Sequence, residues 1–332
     1  MQRWLLDLLV CPECRDARGL TLAGTGEAAV EDGELGCPGC GAAYPIRNGI
    51  PRFVPQQDDY AGNFGFQWNR WKTLQVDRLA GHRLSQTRFF ADSRLPPEWL
   101  PGRLILDAGC GAGRFTDVAA QAGARVVAVD LSEAIDACRV NCANPQGHTP
   151  GRGEVAQVQA NLLRLPFRDG VFDGLFCMGV IQHTPDPAAV MSALPRLLKA
   201  GAPLAYNFYE WHWLRRLEVI KYGLRRTTPD WPQGTLLGFC RVLVALLFPL
   251  TLVLAKIPKL RFFVRFIPIA AVHNPALTLR QQYDWTLLDT FDWYGPRYEQ
   301  CQDHGQVAGL LQGLDLAEVD SRPGLAWARR PG

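Results

Sequence analysis

No sign of charge dominates this 332-residue chain, whose formal net charge is only +3. A balance so even says nothing by itself about a nucleic-acid or membrane partner. Internal repeats and low-complexity segments are also absent. An apolar fraction of 48% with 20% charged residues belongs to a globular chain rather than a disordered one. Its length is enough for one large domain or two smaller ones. No secretory leader is expected either: Met1 to Val10 is a short apolar run that holds Asp7, lacks a small-residue cleavage site and runs directly into a cysteine motif. The expected compartment is the cytoplasm.

What the chain does have is cysteine, ten in all. Four sit in two C-x-x-C knuckles, Cys11-Pro12-Glu13-Cys14 and Cys37-Pro38-Gly39-Cys40. Each knuckle lets two thiolates reach one ion at tetrahedral angles, and two knuckles complete a closed four-sulfur zinc site with no open position for chemistry. The alternative reading is a redox dithiol; the matched pairs, each with proline after its first cysteine, favour structural zinc. Cys110, Cys138, Cys142, Cys177, Cys240 and Cys301 are scattered through mostly apolar stretches and are expected to be reduced thiols in the core or lining a site.

The segment Leu8-Leu9-Val10-Cys11-Pro12-Glu13-Cys14, the second knuckle, and Tyr44-Pro45-Ile46 through Gly49-Ile50-Pro51 resemble the small zinc-ribbon activator subunit of eukaryotic tRNA methyltransferases and its bacterial relatives. The resemblance implies a scaffold or activator fused in cis. It does not imply that the substrate is tRNA.

Four regions follow from composition: a ribbon at 1–55, an aromatic-rich connecting or lid segment at 56–101, a strand–helix alternation at 102–210 completed by 297–332, and an insertion at 211–296. Within the third, Leu104–Asp107, Arg125–Asp130, Val155–Asn161, Val171–Val180 and Leu204–Phe208 read as buried strands. Helices are expected at Arg114–Ala122, Glu133–Ala143 and Ala188–Lys199, the last ended by Gly201. In the tail, Gln306–Leu314 reads as a helix before edge strands at Leu316–Asp320 and Leu325–Arg329. Continuous apolar strands alternating with helices predict a doubly wound parallel sheet that binds its ligand at the carboxyl edge.

At that edge lies Leu106-Asp107-Ala108-Gly109-Cys110-Gly111-Ala112-Gly113, with Asp130 ending the next strand. Glycines suit a loop whose backbone passes close to a ligand, and a carboxylate at the second strand end accepts from ribose hydroxyls. A dinucleotide fingerprint needs one more glycine where Arg114 stands. The motif instead resembles the D-x-G-x-G-x-G loop of class I S-adenosylmethionine-dependent methyltransferases. Asn161-Leu162 through Asp173 and Gly179-Val180-Ile181-Gln182-His183-Thr184-Pro185 extend that resemblance. It implies a Rossmann-like seven-stranded sheet and a cofactor held by Asp107, Gly109, Cys110, Gly111, Gly113, Asp130, Leu131, Asn161, Leu162, Met178 and Gly179. An acidic residue usual at position 161 is here asparagine, whose carbonyl still accepts a hydrogen bond.

Methyl transfer asks the protein mainly for orientation and desolvation, with a general base where the acceptor is a hydroxyl or protonated amine. His183, after the fourth strand, is the candidate base; the bland reading is that it only shapes the loop. His304, Tyr294, Asp292 and Asp289 are further groups able to reach an acceptor. The aromatic segment Tyr60 to Trp71 is either a lid over the cofactor or packing between ribbon and sheet.

Residues 211–270 hold ten basic side chains against two acids, and Leu236 to Ala255 is apolar at membrane-spanning length. One span would strand the C-terminal sheet residues on the wrong side, and Pro249 is expected to interrupt the run. A mainly helical cap closing over a small-molecule or lipid-like acceptor is therefore expected, with peripheral membrane contact through 211–270 or an RNA-facing surface as alternatives. The function read from sequence is methyl transfer to a small or lipid-like molecule at oxygen or nitrogen. RNA methylation and a non-catalytic S-adenosylmethionine-binding partner protein are the rivals.

Overall fold

The computed structural model describes residues 1–23, 29–54, 61–143 and 151–332. Tyr60 of the aromatic segment and the junction at 55–60 lie outside the described residues.

The ribbon is an antiparallel sheet of β1 (Thr21–Leu22), β2 (Gly33–Gly36), β3 (Ala43–Arg47) and β4 (Ile50–Pro51), paired in sequence order. Then come α1 (Gly62–Arg70), α2 (Asp77–Ala80) and α3 (Leu84–Ser93). The main domain alternates β5 (Leu104–Ala108), α4 (Arg114–Gln121), β6 (Arg125–Asp130), α5 (Ala134–Cys142), β7 (Val155–Gln159), β8 (Gly174–Met178), α6 (Pro187–Ala193) and β9 (Pro203–Asn207). The cap contains α7 (Val219–Leu224), α8 (Gln233–Lys256) and α9 (Leu279–Tyr294). The chain then returns through α10 (His304–Gly313), β10 (Ala317–Arg322) and β11 (Leu325–Arg329).

The large sheet has seven strands in the order β10-β11-β9-β8-β5-β6-β7. Strands β7, β6, β5, β8 and β9 are mutually parallel, and β11 runs antiparallel to both β9 and β10. The five parallel strands are mostly apolar and largely buried, as a sheet covered on both faces requires. The order of strand addition reverses between β5 and β8: β6 and β7 build to one side, then the chain crosses over β5 to β8. Loops leaving β5 and β8 diverge there, and in open α/β sheets that is where a crevice forms.

The ribbon covers the outer edge of β7. Arg52 bridges Gln159 in parallel, the Phe53 amide donates to the Gln159 carbonyl at 2.8 Å, and Leu9 bridges Phe167. An Arg52–Asp136 ion pair at 2.7 Å ties the ribbon to α5, and Leu5, Leu9, Tyr44 and Ile46 share one core with Leu165 and Phe167. Pairing an otherwise bare edge removes a template for aggregation.

Two expectations give way. The helix begun near Ala188 stops at Ala193, because Pro195 has no N–H to donate and disfavours helical backbone before it. Gly201 (φ 73°) is consequently a turn glycine ahead of β9 rather than a helix cap. Pro249, in contrast, does not interrupt the apolar run, since α8 is continuous through it. Its missing N–H frees only the Ala245 carbonyl, and both residues are exposed. Leu236, Cys240, Val244 and Phe248 meanwhile hold the other face of α8 against Leu287 and Phe291 of α9.

Candidate active site

Loops after β5, β6 and β8 open into one cavity of about 680 Å³. That is the size of pocket that encloses a small ligand. Its sheet side is lined by Gly109, Cys110, Gly111, Asp130, Leu131, Leu162, Met178 and Gly179. The amides of Gly109 and Cys110 both donate to Val129 O at 2.8 Å, pinning the loop to the end of β6. Gly109 (φ 88°) has no room for a Cβ, which would stand 2.3 Å from Val180 Cγ2. A Cβ on Gly111 (φ 53°) would press on the Trp68 indole at 3.1 Å.

Asp130 Oδ2 accepts from the Gly111 amide at 2.9 Å, and its Oδ1 accepts from the Ser132 amide and hydroxyl at 2.9 and 2.7 Å. Burial pushes its carboxyl above the ordinary range although these bonds pull the other way. One lone pair remains on Oδ2 for an outside donor. Asp107 is not in the cavity wall: it is buried behind the loop and accepts from Thr116 Oγ1 at 2.5 Å. Burial lifts its carboxyl to about 7. Gly113 likewise lies behind the loop, at the start of α4 against Cys138 and Cys142. Asn161 Oδ1 accepts from the Leu163 amide at 2.9 Å, which caps a short turn and leaves Leu162 to face the cavity.

His183 is buried beside Phe64 and Tyr209, with ring centroids 5.0 and 5.5 Å away. Its Nδ1 lies 3.0 Å from the Tyr298 carbonyl, which only accepts, so Nδ1 carries a proton. Nε2 is 4.0 Å from Asp292 Oδ2. Asp292 in turn accepts from Gln67 Nε2 at 3.1 Å and Tyr209 OH at 3.5 Å. Of the other groups weighed from sequence, Asp289 and Asp292 line the cavity. Tyr294 instead donates to the Pro268 carbonyl at 2.9 Å within the cap, and His304 Nδ1 sits 2.9 Å from Glu210 Oε1 outside it.

The aromatic segment lies over the glycine loop rather than between ribbon and sheet. Phe64, Gln67 and Trp68 of α1 face the cavity, while Phe66 and Trp71 pack on Phe291 of α9. The opposite wall is the extended run Ile269–Val272, fixed by two buried threonines of α9. Thr290 Oγ1 accepts from the Ala270 amide at 3.0 Å and Thr286 Oγ1 from the Val272 amide at 2.9 Å. Trp285, Arg114 and Lys221 also line the cavity, and nothing in the sequence pattern singled them out for it.

In the ribbon, the four sulfurs of Cys11, Cys14, Cys37 and Cys40 lie within 4.8 Å of one another. The Cys11–Cys40 and Cys14–Cys37 separations are 3.7 and 3.5 Å. A tetrahedron with Zn–S bonds of about 2.3 Å has edges of about 3.8 Å, so the cluster fits one zinc ion. Zinc there would be structural, joining the Cys11 loop to the β2–β3 hairpin. Cys110, Cys138, Cys142, Cys177 and Cys240 are buried free thiols and Cys301 is half-buried; only Cys110 lines the cavity.

A seven-stranded sheet with this reversal, a glycine loop after its central strand and an acid closing the neighbouring strand define the class I methyltransferase fold. Residues 106–206 match the family described as methyltransferase domain, and residues 2–49 the one described as Trm112p-like protein. The chain carries a methyltransferase domain behind a Trm112p-like ribbon. It is 31% identical over 145 residues to the ubiquinone biosynthesis O-methyltransferase of Hahella chejuensis, covering 42% of this chain and 56% of that protein. The protein of the same description from Xanthomonas campestris pv. campestris is 33% identical over 138 residues, or 41% of this chain and 54% of that one. The chain thus spans about half the length of these curated relatives. Among solved structures, magnesium protoporphyrin IX methyltransferase from Synechocystis PCC 6803 is similar at 19% identity and a TM-score of 0.44, over 82% of this chain and 97% of that one. The complex of the Haloferax volcanii Trm112 methyltransferase activator with a putative methyltransferase is similar at 18% identity and a TM-score of 0.35, over 48% and 65%.

Proposed function

We propose that the chain transfers a methyl group from S-adenosylmethionine to a hydroxyl oxygen of a small, largely apolar acceptor. One observation carries the reading: one cavity joins the glycine loop to a histidine whose Nδ1 is held by a backbone carbonyl and whose Nε2 lies 4.0 Å from a carboxylate. The relatives described as O-methyltransferases support oxygen as the acceptor atom.

In this reading Asp130 receives the ribose hydroxyls, the backbone of Gly109, Cys110, Gly111 and Gly179 passes along the cofactor, and Leu131, Leu162 and Met178 bed its apolar parts. Asp107, Gly113 and Asn161 support the loops from behind. The cofactor supplies an electrophilic methyl group on a good leaving group. His183 Nε2 takes the acceptor's hydroxyl proton, and Asp292 stabilises the imidazolium that results. Phe64, Trp68 and the Ile269–Val272 wall exclude water.

The test is transfer of labelled methyl from S-adenosylmethionine into a cell extract split into RNA, organic-soluble and water-soluble fractions. Label in either small-molecule fraction supports the reading, whereas label in RNA overturns it. His183→Gln is expected to lower kcat about 10²- to 10⁴-fold with cofactor binding unchanged. A loss under threefold would leave His183 a loop-shaping residue.

A specific observation also favours peripheral membrane contact by the cap. Val242, Leu246, Leu250 and Val253 form one exposed stripe on the outer face of α8, continued by Phe262 and Phe263. Lys256, Lys259 and Arg261 stand exposed at the end of that stripe. Apolar side chains flanked by cations suit an anionic lipid surface. The helix is also long and apolar enough to cross a membrane, but the chain at both its ends returns to the same sheet. Flotation with phosphatidylglycerol vesicles but not phosphatidylcholine vesicles, reduced in Leu246→Glu, is the expected result. No flotation with either would refute this contact.

A further inference from the structure

The cap end of the cavity gathers more positive charge than the protein itself neutralises. Glu299, its side chain 4% exposed, is met by Arg215 Nη1 at 2.9 Å, Lys221 Nζ at 2.9 Å and Arg225 Nε at 3.1 Å. Beside them Arg265 Nε is 3.2 Å from Glu218 Oε1, and its Nη2 abuts the His212 ring. Arginine does not give up its proton, so His212 can only accept there, and burial together with Arg265 pushes its pKa down. Four cations (Arg215, Lys221, Arg225, Arg265) therefore face two carboxylates (Glu218, Glu299), a surplus of two.

Arg225 is used up structurally, since its Nη1 and Nη2 donate to the carbonyls of Trp293 and Pro296. Arg215, Lys221 and Arg265 all line the cavity. Lys221 is buried, with Nζ 4.4 Å above the Trp293 ring, and Arg215 Nε is buried with no hydrogen-bond partner among the described residues. The carboxylates of the facing wall are not paired with these cations: Asp292 lies against Gln67, Tyr209 and His183, and burial lifts the Asp289 carboxyl to about 8, where it is neutral at pH 7. Buried charges are ordinarily paired, because an uncompensated one costs several kcal/mol of solvation. A cavity that keeps unspent cations on one wall is built for an anion that arrives with the ligand.

We propose that this end of the cavity binds an oxyanion of the acceptor, a carboxylate or a phosphate, through Arg215, Lys221 and Arg265. The proposal rests on the reading of this cavity as the acceptor site. It makes the acceptor bipolar: a hydroxyl near His183, an apolar body along Ile269–Val272, and an anionic group at the cap.

Calorimetric titration of the full chain with benzoate, phenyl phosphate and phenol, in the presence of S-adenosylhomocysteine, tests it. Benzoate, phenyl phosphate or both are expected to bind at least about tenfold more tightly than phenol, since hydrogen bonds to charged groups exceed neutral ones by that order. Benzoate alone identifies a carboxylate and phenyl phosphate alone a phosphate. Lys221→Met and, separately, the more exposed Arg265→Gln are each expected to weaken the anion about tenfold while S-adenosylhomocysteine affinity holds. Equal binding of phenol and the anions, anion binding that survives both substitutions, or no binding by chain that does take S-adenosylhomocysteine would each overturn the proposal. Failure to take S-adenosylhomocysteine at all would instead sink the methyl-transfer reading beneath it.

Discussion

Gly109→Ala isolates what the glycine loop contributes. Two separate costs are written in the geometry. At φ 88° an alanine pays about 1–2 kcal/mol for left-handed backbone. Its Cβ would also stand 2.3 Å from Val180 Cγ2 and 2.7 Å from Val180 Cγ1, so either the loop or Val180 must move by more than an ångström. Overpacking of that kind costs about 1–3 kcal/mol more. The total expected loss is about 2–5 kcal/mol in isothermal denaturant unfolding. Gly81→Ala is the control: φ is 76° there, yet nothing lies within 4 Å of the added carbon, so only the backbone cost of about 1–2 kcal/mol applies. Pairing Gly109→Ala with Val180→Ala should recover the steric part as a favourable coupling energy in a double-mutant cycle. Loop displacement also pulls the Gly111 amide from Asp130, so S-adenosylhomocysteine affinity should fall in Gly109→Ala and stay constant in Gly81→Ala. Equal costs for the two glycines, or no coupling to Val180, would refute the packing argument for the loop.

Three further outcomes are expected. Asp130→Ala should weaken S-adenosylmethionine about tenfold or more in calorimetry, because it removes a charged acceptor for ribose hydroxyls, and should abolish turnover without abolishing the fold. Asp107 is protonated up to about pH 7 in the folded chain but only to about pH 4 when unfolded. The unfolded state then binds fewer protons in that window, so this group erodes stability by about 1.4 kcal/mol per pH unit as pH rises from 4 to 7. Asp107→Asn, which keeps an acceptor for Thr116, should flatten that slope in unfolding measured across the window, and an unchanged slope would refute the assignment. Chelation should release one zinc per chain with loss of ribbon structure, and Cys14→Ser should bind zinc more weakly in a chromogenic displacement assay; full zinc binding by Cys14→Ser would show that the four sulfurs do not act together.

The sheet was legible because its strands are continuous apolar runs, a pattern that only a doubly covered parallel sheet requires. The glycine loop and Asp130 were legible because backbone chemistry leaves a sequence mark. Prolines were read less well, and for a physical reason. Pro195 ends a helix where the chain must turn so that the Leu197 carbonyl meets the amides of Val171 and Phe172. Pro249 is carried inside α8 because solvent can satisfy the carbonyl it frees while packing holds the opposite face. Local chemistry is the same at both; tertiary context decides. The cavity's outer half was legible only in part: Asp289, Asp292 and the aromatic segment were expected near an acceptor, but not Lys221 of α7 or Trp285 of α9. Trp68 and Gln67 reach it because α1 lies between the glycine loop and α9, and no spacing rule encodes an arrangement across more than two hundred residues of chain.

The ribbon's position suggests why it is carried in cis. It touches the edge of β7, α5 and the segment that follows β7, and none of its described residues lines the cavity. The Phe53 amide holds Gln159, the Val10 amide holds the Pro166 carbonyl at 2.9 Å, and the Leu8 carbonyl accepts from the Arg168 amide at 2.9 Å. These bonds bracket residues 160–165 at both ends, and Leu162 within that bracket faces the cavity. A loop clamped at both ends keeps its middle in place at little entropic cost to the bound state. Zinc would thus act on the cofactor at one remove: it orders the knuckles, the knuckles set the Leu8–Val10 segment, and that segment fixes the loop on which Leu162 sits. A separate activator subunit would have to find this edge by association, whereas a fused ribbon covers it from the moment the chain folds.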